Sequence, residues 1–130
     1  MAKRYLVLLL TLMMGLFMWS CTDPAADDTT APAAPGSLAF DANLSGDGQI
    51  YISWLAPADK DVEAYNIYRD PGSGSYTLLI STVETYYLDT DLDYSIEYGY
   101  KVTALDDSGN ESPFSTEVRL MPINLLSPAT

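Results

Sequence analysis

Residues 98–112 read YGYKVTALDDSGNES, and the spacing of their apolar side chains decides the fold. Tyr98, Tyr100, Val102 and Ala104 fall on alternate positions, with Lys101 and Thr103 between them. A period of two puts one set of side chains on each face of an extended strand. The Asp-Asp-Ser-Gly-Asn run that follows supplies side chains that bond their own backbone and a glycine that accepts left-handed conformations. The segment is predicted to be a strand with one face in a core and a tight turn after it.

The same period recurs upstream. In QIYISW, residues 49–54, Ile50, Ile52 and Trp54 share a face, and Gln49, Tyr51 and Ser53 take the other. In AYNIYR, residues 64–69, Tyr65 and Ile67 point inward, with Asn66 and Tyr68 outward. Further strands are predicted over 37–42, 76–80, 85–88 and 116–120. Turn signals separate them: LSGDG, APADKD, DPGSGS, DTDLDYS and DDSGNES. No window beyond residue 21 carries a helical stripe. Seven short strands in so few residues imply an antiparallel sandwich, with Trp54, Tyr65, Ile67, Leu92, Tyr98, Tyr100 and Val102 as its structural core.

The ordered landmarks resemble a fibronectin type III domain over residues 35–122. Pro35 and Leu38 stand at the entry, Trp54 precedes Pro57, DVEAYNIYR supplies the third strand, and Leu92 lies six residues before Tyr98. The resemblance implies an all-β, immunoglobulin-like, seven-stranded antiparallel β-sandwich with sheets A-B-E and C′-C-F-G. It also implies that Tyr98 is a tyrosine corner, its hydroxyl bonded to backbone near Leu92. The family's Arg-Gly-Asp adhesion tripeptide is absent; DDSGNES stands in the loop that would carry it.

Residues 1–20 have another character. Lys3 and Arg4 precede an apolar run from Tyr5 to Trp19, shorter than the roughly 20 residues a spanning helix needs. The run ends in Ser20-Cys21, and Cys21 is the single cysteine. This resembles a bacterial lipoprotein signal, which implies lipidation of Cys21 after cleavage before it. Met18 and Trp19 depart from the usual lipobox residues. An uncleaved signal anchor and an ordinary secretory signal are the other readings. Residues 21–34 follow without an aromatic or large aliphatic side chain, which predicts a disordered acidic tether. Residues 123–130 form a C-terminal tail whose Ile123, Leu125 and Leu126 could fray or dock.

Charge and composition exclude several functions. Eighteen acidic residues face six basic ones. Loss of Lys3 and Arg4 with the signal leaves 4 against 18, a net charge of −14. Such a surface repels phosphates, so no nucleic-acid partner is expected. One cysteine forms no internal disulfide, and the chain has no histidine. That removes histidine-based triads and histidine-containing metal sites. Asp89, Asp91 and Asp93 alternate as calcium ligands can, but an EF-hand pattern would need Gly and Glu where Tyr94 and Tyr100 stand. They read as solvated turn formers, and neither metal nor cofactor is expected. Surface tyrosines are the remaining candidates. Tyr51 and Tyr86 face solvent on neighbouring strands, and Tyr68, with Tyr76, faces out on the other sheet. They could stack on sugar rings or form a protein-binding patch. The expected function is a non-catalytic binding or spacer module, held in the bacterial envelope by the membrane-inserted lipid on Cys21. It would face the periplasm or the cell exterior, with a protein or polysaccharide partner. The alternative is an accessory domain of a secreted polysaccharide-degrading system.

Overall fold

The computed structural model describes residues 27–124. The signal expected over residues 1–20, Cys21 with its expected lipid, residues 22–26 and residues 125–130 lie outside the described residues. Seven strands follow in order: β1 (Gly36–Phe40), β2 (Ile50–Leu55), β3 (Val62–Asp70), β4 (Thr77–Thr82), β5 (Tyr86–Asp89), β6 (Tyr98–Asp106) and β7 (Val118–Leu120). They form a three-stranded sheet, β1-β2-β5, and a four-stranded sheet, β4-β3-β6-β7. All pairings are antiparallel.

The alternation read from the sequence becomes the two inner faces. Ile50, Ile52 and Trp54 of β2 meet Tyr65 and Ile67 of β3 and Tyr98, Tyr100, Val102 and Ala104 of β6, with Leu38 and Leu92 closing the ends. Trp54 and Tyr65 pack edge to face across the sheets, centroids 5.5 Å apart. The Tyr98 hydroxyl oxygen accepts the Asp93 N–H at 3.1 Å, pinning the chain as it crosses between sheets.

Parity carries Arg69 inward as well, opposite Tyr100 in the β3–β6 register. A charge there needs a partner, and Asp89 supplies it. Asp89 is therefore no solvated loop residue. It ends β5 with 3% of its surface exposed, accepting from Arg69 Nη1 at 3.0 and 2.9 Å and from the Tyr100 hydroxyl at 2.7 Å. Burial and the Asp89 carboxylate push the Tyr100 hydroxyl far up.

Strand β7 is shorter than the 116–120 expected, because hydroxyls replace its ladder. Ser112 Oγ accepts the Ala104 N–H at 2.8 Å, and Ser115 Oγ accepts the Val102 N–H at 3.0 Å. The backbone N–H groups of the two serines return bonds to the Ala104 and Val102 carbonyls. Pro113, which lacks an N–H, sits between them.

Two ends of the sandwich differ. Residues 27–34, expected to belong to a disordered tether, lie against the loops after β2 and β6. Pro32 is buried, Ala33 N–H donates to Asp59 at 3.1 Å, and Asn110 Nδ2 donates to the Asp28 carbonyl at 2.9 Å. The Asp59 carboxylate as acceptor and the Asn110 amide as donor hold a segment whose composition alone offers little to bury. At the other end a pocket of about 150 Å³ lies between β1 and the chain after β7, lined by Phe40, Ile50, Leu120, Met121 and Ile123. There the Ile123 carbonyl accepts the Asp47 N–H at 2.7 Å.

Candidate functional site

Both sheets carry aromatic residues on their outer faces. On the three-stranded sheet, Tyr51 stands opposite Leu88 and Tyr86 opposite Ser53. The two tyrosines are diagonal neighbours and stack, with centroids 5.7 Å apart and planes 16° from parallel. Tyr86 is 47% exposed and Leu88 40%.

The four-stranded sheet is more elaborate. Tyr68 is half-buried rather than free, because the Phe114 ring packs on it edge to face at 5.0 Å. The Tyr68 hydroxyl donates to Glu111 Oε1 at 2.7 Å. Thr103 Oγ1 and Asn66 Nδ2 donate to that same oxygen at 2.6 and 3.1 Å. Asn66, expected to face out freely, does face outward but is covered by Glu111 and by Ser81, whose hydroxyl donates to Asn66 Oδ1. Burial alone would raise the Glu111 carboxyl; the bonds from Thr103, Tyr68 and Asn66 outweigh it and hold the group below its ordinary value.

Tyr76 also departs from the expected outward exposure. Its ring lies under the Lys101 ammonium, 4.3 Å from the centroid, and Lys101 also sits 5.6 Å from the Phe114 centroid. Burial and the nearby Glu117 carboxylate push the Tyr76 hydroxyl up to about 12. Sequence reasoning marked Tyr51, Tyr68 and Tyr86 but missed Phe114, Glu111 and Lys101. Phe114 and Glu111 follow a turn, where period-two parity says nothing about facing.

Among the described residues, every carboxyl that departs from its ordinary value goes down: Asp70, Asp93, Asp106 and Glu111. A general acid needs the opposite. Asp91 and Asp93 are exposed turn residues, with Asp93 accepting from Ser95. The acids that do converge are Asp28, Asp61 and Asp106, with oxygens within 4.8 Å of one another. The Asp106 carboxylate there is already engaged by the Ser108 and Asn110 amides and by Asn110 Nδ2.

Two facing antiparallel sheets of three and four strands with this crossover define an immunoglobulin-like sandwich. The chain belongs to the fibronectin type III family, whose profile matches residues 33–120. An Fn3-like protein from Clostridium thermocellum superposes with a TM-score of 0.59 and 28% identity, covering 75% of this chain and all of the other. An amylopullulanase of Thermoanaerobacter thermohydrosulfuricus is 42% identical over 81 residues, 61% of this chain and 5% of that protein. Exoglucanase B of Cellulomonas fimi is 34% identical over 91 residues, 68% of this chain and 8% of its own length. The chain thus spans only a small fraction of the length of the curated relatives it matches.

Proposed function

We propose that this chain is a non-catalytic module held outside the cytoplasm by a lipid on Cys21, offering its sheet faces to a polysaccharide or protein partner of the cell envelope. The observation that carries the reading is how the relatives are built. A domain like this one recurs as a few per cent of much larger polysaccharide-degrading enzymes, a place suited to binding or spacing. The absence of histidine and the lowered carboxyls of Asp70, Asp93, Asp106 and Glu111 agree with a role other than catalysis.

The strap over residues 27–34 shapes this reading. Only residues 22–26 separate Cys21 from Asp27, at most about 20 Å of extended chain. A lipid on Cys21 would hold the domain close to the membrane, with the loops after β2 and β6 turned toward it. Intact mass and membrane partitioning of the expressed protein, beside Cys21→Ser, test the anchor. Cleavage before Cys21, acyl chains and membrane partitioning of the wild type alone are expected. Two soluble, unacylated proteins would remove it and move the partner search to the medium.

A second reading, an accessory domain of a polysaccharide-degrading system, is favoured by the same relatives. It predicts that the protein is retained by a polysaccharide whatever becomes of the anchor.

A further inference from the structure

We infer that the outer face of the four-stranded sheet binds a neutral polysaccharide, with the Phe114 ring as the stacking surface and the Glu111 carboxylate as the hydroxyl acceptor. The inference rests on the polysaccharide-associated reading above and names the site and the ligand chemistry.

Glu111 is an exposed residue, yet its side chain is fixed. Three donors, from Asn66, Tyr68 and Thr103, converge on Oε1, while Oε2 receives none of them. Ordering a surface glutamate costs side-chain entropy. Here it yields a rigid, ionised acceptor whose second oxygen none of the three donors occupies. Charge-assisted bonds from hydroxyls to such an oxygen are among the strong ones. The low position of the carboxyl keeps it ionised in mildly acidic surroundings.

Tyr68 ties this acceptor to an apolar platform. Its hydroxyl holds Glu111 while its ring braces Phe114 at 5.0 Å. Phe114 remains 49% exposed, so aromatic surface and carboxylate stand about one phenol ring apart. A pyranose has matching dimensions and chemistry, with an apolar C–H face for the ring and equatorial hydroxyls at its edge for the carboxylate. Lys101, beside the Phe114 ring, adds a donor for sugar oxygens.

Charge decides against other ligands. The chain carries a net charge of −12, and Glu117 lies 3.5 Å from Lys101, so an acidic polymer would be repelled. The face is a sheet surface rather than a cavity, which suits a polymer lying across it. On the other sheet Tyr51 and Tyr86 stack on each other, and among the described residues no side-chain hydrogen bond fixes a carboxylate beside them, which makes that face the natural control.

The test is native affinity electrophoresis of the full chain in detergent, through gels cast with soluble starch, mixed-linkage β-glucan or polygalacturonate. Wild type should be retarded by a neutral glucan and not by polygalacturonate. Phe114→Ala and Glu111→Gln should each weaken retardation at least tenfold, with unfolding midpoints showing that the domain remains folded. Tyr86→Ala should leave it unchanged. Retardation that survives both Phe114→Ala and Glu111→Gln would overturn this site and leave the polysaccharide reading standing. Loss with Tyr86→Ala alone would place the site on the other sheet and likewise overturn it. A folded wild type that no glycan retards overturns the inference and leaves a protein partner, with the membrane anchor judged separately by partitioning.

Discussion

Removing the Asp89 carboxylate should be among the most damaging single changes to this domain that create no large cavity. Asp89 joins the two sheets: it ends β5 of one and accepts from Arg69 and Tyr100 of the other. In Asp89→Ala the Tyr100 hydroxyl loses its partner in a residue with no exposed surface. An orphaned buried hydroxyl costs about 1–3 kcal/mol. Breaking a fully buried ion pair costs about 3–5 kcal/mol, but the Arg69 side chain is 29% exposed, so water recovers much of its share. The two effects together give a loss of about 2–4 kcal/mol. In a domain of this size each kcal/mol moves Tm by about 4–8 °C, so a drop on the order of 10–25 °C is expected. In protein expressed from Cys21 onward, Trp54 is the sole tryptophan, and its fluorescence reports urea unfolding of the core directly. Asp89→Asn, which keeps an acceptor for Tyr100, should fall between wild type and Asp89→Ala. If Asp89→Ala unfolds within about 0.5 kcal/mol of wild type, the range in which ordinary surface changes fall, the bridge contributes nothing to stability.

Three further outcomes follow from the packing. At Gly99 an added Cβ would collide with the Tyr76 hydroxyl and stand 2.9 Å from Arg119 Nη1; Gly99→Ala should cost about 1–3 kcal/mol by overpacking, read by thermal unfolding. Ser112→Ala and Ser115→Ala each strip the acceptor from a β6 amide. Each should cost about 1–3 kcal/mol and speed hydrogen exchange at Ala104 or Val102 respectively. Acid should also destabilise the fold. Burial alone would raise the Asp70 carboxyl, but Ser73, Arg119 and Gly74 outweigh it and hold it low; Asp106 is held low in the same way by Asn110, Ser108 and Gly109. With folded values depressed, their stabilisation is complete above the unfolded value of roughly 4 and is lost as pH falls through the folded values. The urea midpoint should stay level from neutral pH to about 5 and fall below about 4. Asp70→Asn should flatten that decline.

The sheets were legible because their signal is local. Alternation in β2, β3 and β6 fixes which side chains enter the core, and Gly- and Asp-rich turns mark where strands stop. What escaped depends on pairs far apart in sequence. Nothing near Asp89 announces that Arg69 and Tyr100, 20 and 11 residues away, will meet it, so a run of alternating aspartates read as a solvated loop. Tyr68 was placed on the correct face, but its cover, Phe114, comes from a segment with no period. Glu111 was invisible as a candidate for the same reason: its meaning lies in three donors from β3 and β6. The strap over residues 27–34 reads as featureless because its partners are Asp59 and Asn110.

The two serines beside β6 have a consequence for solubility. An open sheet edge offers alternating N–H and C=O groups that another chain can extend, the starting point of aggregation. Along residues 112–115 the amides of Val102 and Ala104 are already taken by hydroxyls, and the irregular segment that covers them contains Pro113, which has no N–H to donate. Over that length the border of the four-stranded sheet is finished with side chains in place of a regular ladder, which makes it a poor template for a further strand. If the proposed anchor or polymer crowds copies of the domain together, that border gives fibre growth little to start from, without a covering helix.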